Sequence, residues 1–340
     1  MDAINPNYRN FRQKYRPQNI EHLQKGILKG DRASLSRALT LVESRRPDDR
    51  RHSERLIQNL MPHRKDSLRI GITGVPGVGK STFIERLGLQ LIEQGHRLAI
   101  LAVDPSSAST GGSILGDKTR MEQLSLSEQA FIRPSPTGNT LGGVARRTRE
   151  AILLCEAAGY DLIFVETVGV GQSETKVALM TDFFMLLMLA GAGDELQGIK
   201  RGIMEMADLM VINKADRVPA QELRLAMGEY KRALHLFPPK VNEWVPEVLS
   251  ASAEDGRGVS EVWAMIDKFA RQQKLKGYFA ENRQQQALRW FEDAIGEMMT
   301  EAFHQSDRHK QSFEKKRLAV QQGQLEPGLA AQQLIDEIWN

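Results

Sequence analysis

The chain has 340 residues, 41% of them hydrophobic, enough to bury a substantial core in one large domain with additions or in two domains. Its 46 Lys and Arg against 43 Asp and Glu leave a formal charge of +3, too thin over this length to argue for nucleic acid as a partner. Cys155 is the only cysteine, which excludes an intrachain disulfide and a cysteine-built zinc cluster, and the longest apolar stretch, FFMLLMLAGAG, is too short to span a bilayer.

The first twenty residues are polar and contain no apolar leader segment, so a reducing, cytoplasmic location is expected. Residues 1–67 hold fifteen basic and eight acidic side chains. Their apolar groups (Leu23, Ile27 and Leu28; Leu35, Ala38, Leu39 and Val42; Leu56, Ile57 and Leu60) recur at spacings of three and four, which predicts short helices interrupted at RRPDDRR. The basic excess reads as a solvated helical surface, or as a contact for an acidic partner.

From residue 68 to about 275 the pattern changes to apolar runs separated by helical stretches: LRIGIT, LAILAV, DLIFVET, FFMLLMLAG, LMVINK and EVLSAS. Such alternation predicts an α/β domain with a mainly parallel sheet covered by helices. Over 276–340, Leu288, Phe291, Ile295, Met298, Met299 and Phe303 form one helical stripe, and Leu329, Leu334, Ile335 and Ile338 form another after Pro327. These predict long helices outside the sheet domain, with more apolar surface than that domain needs, and hence a homodimer.

GVPGVGKS, residues 74–81, fits G-x-x-x-x-G-K-[ST] between a predicted strand and an amphipathic helix, the context a phosphate loop requires. Gly74, Gly77 and Gly79, with Val75, Pro76 and Val78 between them, let the backbone curl until its N–H groups face phosphate oxygens. The helix starting near Lys80 adds its positive end, Lys80 meets the β and γ phosphates, and Ser81 ligates Mg2+; the nucleotide-binding stretch continues through Thr82. The bland alternative is an ordinary glycine turn before a helix.

NKAD, residues 213–216, follows the strand-like run LMVI and bears on which base is bound. A carboxylate only accepts hydrogen bonds, so Asp216 can take the N1–H and exocyclic amine of guanine, whereas adenine has no proton on N1. Asn213 is expected to stabilise the loop and reach the other edge of the base, with Lys214 in the same stretch. SAEDGRG, starting at Ser252, reads as a further guanine-contacting loop, with a backbone N–H near Ala253 facing the base oxygen. The ligand expected is therefore GTP or GDP.

DPSSASTGGSILGDKTR, residues 104–120, is too polar to bury a core yet follows a predicted buried strand. Asp104 and Asp117 fall where GTPases keep a mobile segment over the γ phosphate and magnesium, and carboxylates there supply hard oxygen ligands; the alternative is that they cap a helix or turn. Glu166 ends the run DLIFVET where a metal-organising carboxylate stands, and Gly169 offers its N–H to the γ phosphate. The position after that glycine is Val170, which cannot orient water, and Gln172 lies two residues further on, so slow unaided hydrolysis is expected.

With these segments in this order, together with GAGDELQGIKRGIMEMAD, the sequence closely resembles the MeaB/ArgK family of GTPases associated with methylmalonyl-CoA mutase, over roughly residues 20–300. The resemblance implies a SIMIBI-type P-loop GTPase domain (68–275) between an N-terminal helical segment (1–67) and a C-terminal helical dimerisation arm (276–340). It implies a G-protein chaperone of an adenosylcobalamin-dependent mutase, gating cofactor loading and protecting the enzyme. Asp104, Asp117 and Glu166 match the family's magnesium-linked acidic positions, and GAGDELQGIK matches a third switch loop, in which Gln197 and Lys200 are the candidates for coupling to the partner. Two other functions stay open at this point: a kinase or ATPase of arginine and ornithine transport, and a metal-delivering GTPase. The first would need adenine binding. The second expects clustered ligands, whereas His22, His52, His63, His96, His235, His304 and His309 are scattered. No D-x-H-x-x-G fingerprint for cobalamin is present, so the cofactor is expected on the partner.

Overall fold

In the computed structural model, the residues described are 19–44, 46–103, 121–134, 141–167, 173–191 and 201–339. The chain divides into two compact units, Met1–Gln284 and Gln285–Asn340.

The first unit opens with three helices, α1 (Ile20–Leu28), α2 (Arg32–Glu43) and α3 (Pro47–Leu60). Asn19 and Asp31 cap the first two by accepting backbone N–H groups of the first turn, and Pro47 opens the third with Asp48 and Asp49 behind it, so RRPDDRR breaks one helix by starting the next. There follow β1 (Leu68–Gly74), α4 (Lys80–Glu93), β2 (Leu98–Val103), α5 (Glu122–Leu126), β3 (Ala130–Arg133), α6 (Leu141–Ala157), β4 (Leu162–Thr167), α7 (Ser173–Ala178) and β5 (Phe183–Met188). The unit continues with α8 (Arg201–Met206), β6 (Leu209–Ile212), α9 (Ala220–Leu234), β7 (Glu247–Ser250), α10 (Val259–Leu275) and the start of α11 (Tyr278–Gln305).

Among the described residues the seven strands form one sheet of order β3-β2-β4-β1-β5-β6-β7, and every pairing is parallel. The parallel α/β fold expected from the sequence is what forms. Strand β3 is the addition: its four residues, AFIR, make too short an apolar run to stand out, and they pair only at the sheet edge against β2.

Both faces of the sheet are covered, which is why its strands read as continuous apolar runs. On one face Phe183, Met185 and Leu187 of β5 join Ile70, Ile72 and Phe164 in a core closed by Phe83, Ile84 and Leu87 of α4 and Val262, Ile266 and Phe269 of α10. On the other, Leu186 and Met188 of β5 meet Met210, Ile212, Met204 of α8, and Ala226, Tyr230 and Leu234 of α9. Alternate residues of one strand thus feed two cores. Two cross-links hold the N-terminal helices beside β3: Arg32 Nη1 donates to Ser127 O at 3.0 Å, and Arg133 pairs with Glu43, Nε to Oε1, at 3.0 Å.

Parallel order sends all seven strand carboxyl ends to one edge, where phosphate loop and guanine motif must emerge together. The second unit contains the rest of α11, then α12 (Asp307–Gln321) and α13 (Pro327–Trp339), the last two joined by Lys316 Nζ to Glu337 Oε1 at 2.8 Å. Among the described residues, no helix is long and apolar enough to cross a membrane.

Candidate functional site

The phosphate loop leaves β1 at Gly74 and re-enters regular structure at Lys80, the first residue of α4. Gly74 lies against the neighbouring strand: a Cβ there would stand 2.4 Å from Leu187 O, so any side chain would push β1 off β5. Gly79, the N-cap of α4, has φ of 90°, a left-handed conformation that favours glycine, and a Cβ on it would meet Asn213 Nδ2 at 3.0 Å. Val75 and Val78 are buried beneath the loop while Pro76 and Gly77 at its tip are exposed, as is Thr82 in the first turn of α4. Lys80 turns back across the loop, its Nζ donating to Gly74 O at 2.9 Å.

The guanine motif sits against this loop. Asn213 and Lys214 follow β6 directly, and Ala215–Arg217 forms one 3-10 turn. Asn213, buried, donates through Nδ2 to Val78 O at 2.8 Å and accepts at Oδ1 from Ala253 N at 3.2 Å, so one amide joins the phosphate loop, the end of β6 and the loop after β7. A primary amide has two N–H donors, of which Val78 takes one. Lys214 adopts φ of 57° and donates from Nζ to Gly77 O at 2.6 Å, laying its alkyl stem along the phosphate loop. Asp216 follows two residues later, exposed, with Arg217 Nε at 3.7 Å from its Oδ2.

The loop after β7 is braced from inside. Ser252 is fully buried, donates its N–H to Arg257 O at 2.8 Å, and accepts at Oγ from Asp255 N at 3.3 Å. The N–H of Ala253, expected to face the base, is the one that donates to Asn213 Oδ1.

The third cluster lies where β1 and β4 run side by side, with Ile72 in register with Glu166. Glu166 is buried at the carboxyl end of β4, and Ser81 Oγ in the first turn of α4 stands 3.4 Å from its Oε1. Thr73 and Thr167, both buried, share a hydrogen bond of 2.7 Å between their hydroxyls just below. Asp104, Asp117, Gly169, Val170, Gln172, Gln197 and Lys200 lie outside the described residues.

Sequence reasoning missed the braces. Arg86 and Arg217 belong to no motif, Thr73 and Thr167 stand only at the ends of apolar runs, and the partners lie between 37 and 168 residues away along the chain. The signal available was position alone, an arginine one and a half turns into the helix that follows a phosphate loop.

A parallel sheet that presents G-x-x-x-x-G-K-S and N-K-x-D at one edge, hydrogen-bonded to each other, defines the class as a P-loop protein for guanine nucleotides. The family model described as "Methylmalonyl Co-A mutase-associated GTPase MeaB" matches residues 35–308, and the chain belongs to that family. It is therefore a GTP-binding GTPase. Among relatives, it is 47% identical to the GTPase ArgK of Escherichia coli over 92% of this chain and 94% of that protein. It is 46% identical to the mitochondrial methylmalonic aciduria type A homolog of Mus musculus, over 93% of this chain and 79% of that one. A crystal structure of an LAO/AO transport system kinase superposes with a TM-score of 0.76 at 39% identity, covering 96% of this chain and 99% of the other.

Proposed function

We propose that this GTPase is a chaperone of an adenosylcobalamin-dependent methylmalonyl-CoA mutase, gating loading of the mutase's cofactor and protecting the enzyme from inactivation. Family membership supplies the partner. The observation that carries the nucleotide chemistry is the joining of Asn213 and Lys214 to Val78 and Gly77, which holds the base-reading residues at a fixed distance from the phosphate-binding backbone.

In this reading the backbone N–H groups of residues 74–82, Pro76 excepted, and Lys80 hold the phosphates, and Asp216 accepts from the guanine N1–H and amine. Ser81 and Glu166 fit a magnesium ion: both offer hard oxygen, and at 3.4 Å apart they are close enough for one cation to engage both, directly or through water. Bound there, magnesium would neutralise charge on the β and γ phosphates. Asp104 and Asp117 complete the acidic set, and Gly169 presents its N–H to the γ phosphate. Val170 leaves the attacking water without an orienting side chain, so turnover is slow until the mutase orders Gln197 and Lys200. The helical segment 1–67 and the arm 276–340 flank the GTPase domain of 68–275, and the arm pairs two copies into a homodimer.

The test is turnover of GTP and of ATP, each with and without saturating mutase, in wild type and in Lys200→Ala. Expected are slow GTP hydrolysis accelerated by the mutase, negligible ATP turnover, and a Lys200→Ala protein that binds the mutase but loses most of the acceleration. ATP turnover with phosphate appearing on an acceptor would favour the transport-linked kinase function instead.

A further inference from the structure

Arg86 lies on the exposed face of α4, six residues beyond Lys80, and its guanidinium reaches the loop after β7. Nε donates to Ala253 O at 3.2 Å and Nη2 to Glu254 O at 2.7 Å. One planar fork therefore holds two successive carbonyls of the stretch that follows the buried Ser252. The side chain of Glu254 is fixed separately, through Oε2 to Arg217 Nη2 at 2.6 Å, and Arg217 is the residue next to Asp216.

Holding those carbonyls decides where the N–H groups point. In a trans peptide the C=O of one residue and the N–H of the next face opposite ways, so fixing Ala253 O on Arg86 turns the N–H of Glu254 away from it. The other N–H groups of the stretch are engaged within the protein. Ser252 N donates to Arg257 O, Ala253 N to Asn213 Oδ1, Asp255 N to Ser252 Oγ, Gly256 N to Ser252 O and Arg257 N to Asp255 Oδ1. Among the described residues, Glu254 N is the one backbone N–H from 252 to 257 without a protein acceptor.

We infer that Arg86 is a positioning residue for guanine recognition: by drawing the carbonyls of Ala253 and Glu254 toward α4, it aims the N–H of Glu254 at the C6 carbonyl oxygen of the base. This rests on the guanine site proposed above and adds to it the donor and the side chain that orients it. The donor is one residue beyond the Ala253 position expected from the sequence, because Asn213 takes the Ala253 N–H. It also ties base reading to the helix that carries Lys80 and Ser81, so the two ends of the nucleotide are held by one rigid element.

The experiment measures affinity for GDP, IDP and 2-aminopurine riboside diphosphate in wild type, Arg86→Ala and Arg86→Lys. IDP keeps the C6 oxygen and N1–H and lacks the 2-amine; the 2-aminopurine nucleotide keeps the amine and lacks both the C6 oxygen and the N1 proton, so the effect of Arg86 is read as a change between variants for each nucleotide. Expected for Arg86→Ala is a loss of about tenfold for GDP and for IDP, the worth of one well-placed hydrogen bond. The 2-aminopurine nucleotide should bind as before, which also reports that the variant is folded. Arg86→Lys, which has no planar fork, should show a smaller loss with the same pattern. Equal loss for all three nucleotides in both variants, or no loss for any, would overturn the assignment. If the wild type itself fails to prefer GDP over the 2-aminopurine nucleotide, the guanine site falls, whereas a GDP-to-2-aminopurine affinity ratio that is unchanged in Arg86→Ala removes Arg86 alone, since Asp216 still discriminates through N1–H in both proteins.

Discussion

At the scale of single residues, what matters is which hydrogen-bonding capacity each side chain has left for a ligand. Asn213 illustrates the difference between motif and structure: its place in N-K-x-D was legible, but its attachment to Val78 O and Ala253 N required the fold, since the partners lie 135 and 40 residues away. Asp216 was legible for the opposite reason, because its role is read from the chemistry of a carboxylate against guanine and depends on no distant contact. Asp216→Asn replaces an acceptor with a group that also donates, so it should weaken GDP binding and strengthen binding of XDP, whose C2 carbonyl a carboxylate repels. Competitive titration with the two nucleotides checks this; equal weakening of both would mean that Asp216 supports the loop and does not read the base.

At the scale of elements, apolar periodicity located six of the strands, and it passed over β3, whose four residues AFIR make only a short apolar run between the polar stretches SLSEQ and PSPTGNT. Polar contacts under the sheet were invisible for another reason: they join residues that are unremarkable one by one. Arg69 and Glu156, both buried, pair at 2.7 Å beneath β1. Asp182, entering β5, accepts from Arg69 N at 2.9 Å and takes both arms of Arg283 from α11, Nε to Oδ1 at 2.9 Å and Nη2 to Oδ2 at 2.6 Å. Arg283 Nη2 also donates to Ser67 O at 2.6 Å, so the first turns of α11 are clamped to the start of the two central strands. Arg283→Met should cost about 3 kcal/mol in urea unfolding, since it leaves a fully buried carboxylate without its cation. Adding Asp182→Asn should recover part of that loss, because the charge that made the vacancy expensive is gone; additive losses would show that the two side chains do not act as a pair.

At the scale of the whole molecule, the chain shows where its arm can be separated. The change of pattern near residue 276 marks the end of the last sheet-covering helix, but the compact unit extends to Gln284, and Arg283 belongs to the clamp on Asp182. Beyond it, Leu288, Phe291, Ile295, Met298 and Met299 recur at helical spacing along α11, and each is exposed, Phe291 to 65%. Leu329 and Ile335 on α13 and Leu318 on α12 are exposed as well. Apolar residues repeating along one stripe are a different matter from single exposed leucines: a stripe of this kind calls for a covering surface, and a second copy of the same arm supplies one by two-fold symmetry. The expected outcome is a full-length homodimer in sedimentation equilibrium at micromolar concentration, and a monomer after truncation following Gln284 that binds GDP with unchanged affinity. A cut at residue 276 should instead lower the unfolding midpoint, because it removes Arg283 along with the arm. A full-length chain that sediments as a monomer would leave the stripe to some other partner, and a truncated chain that still dimerises would move the interface onto the GTPase unit.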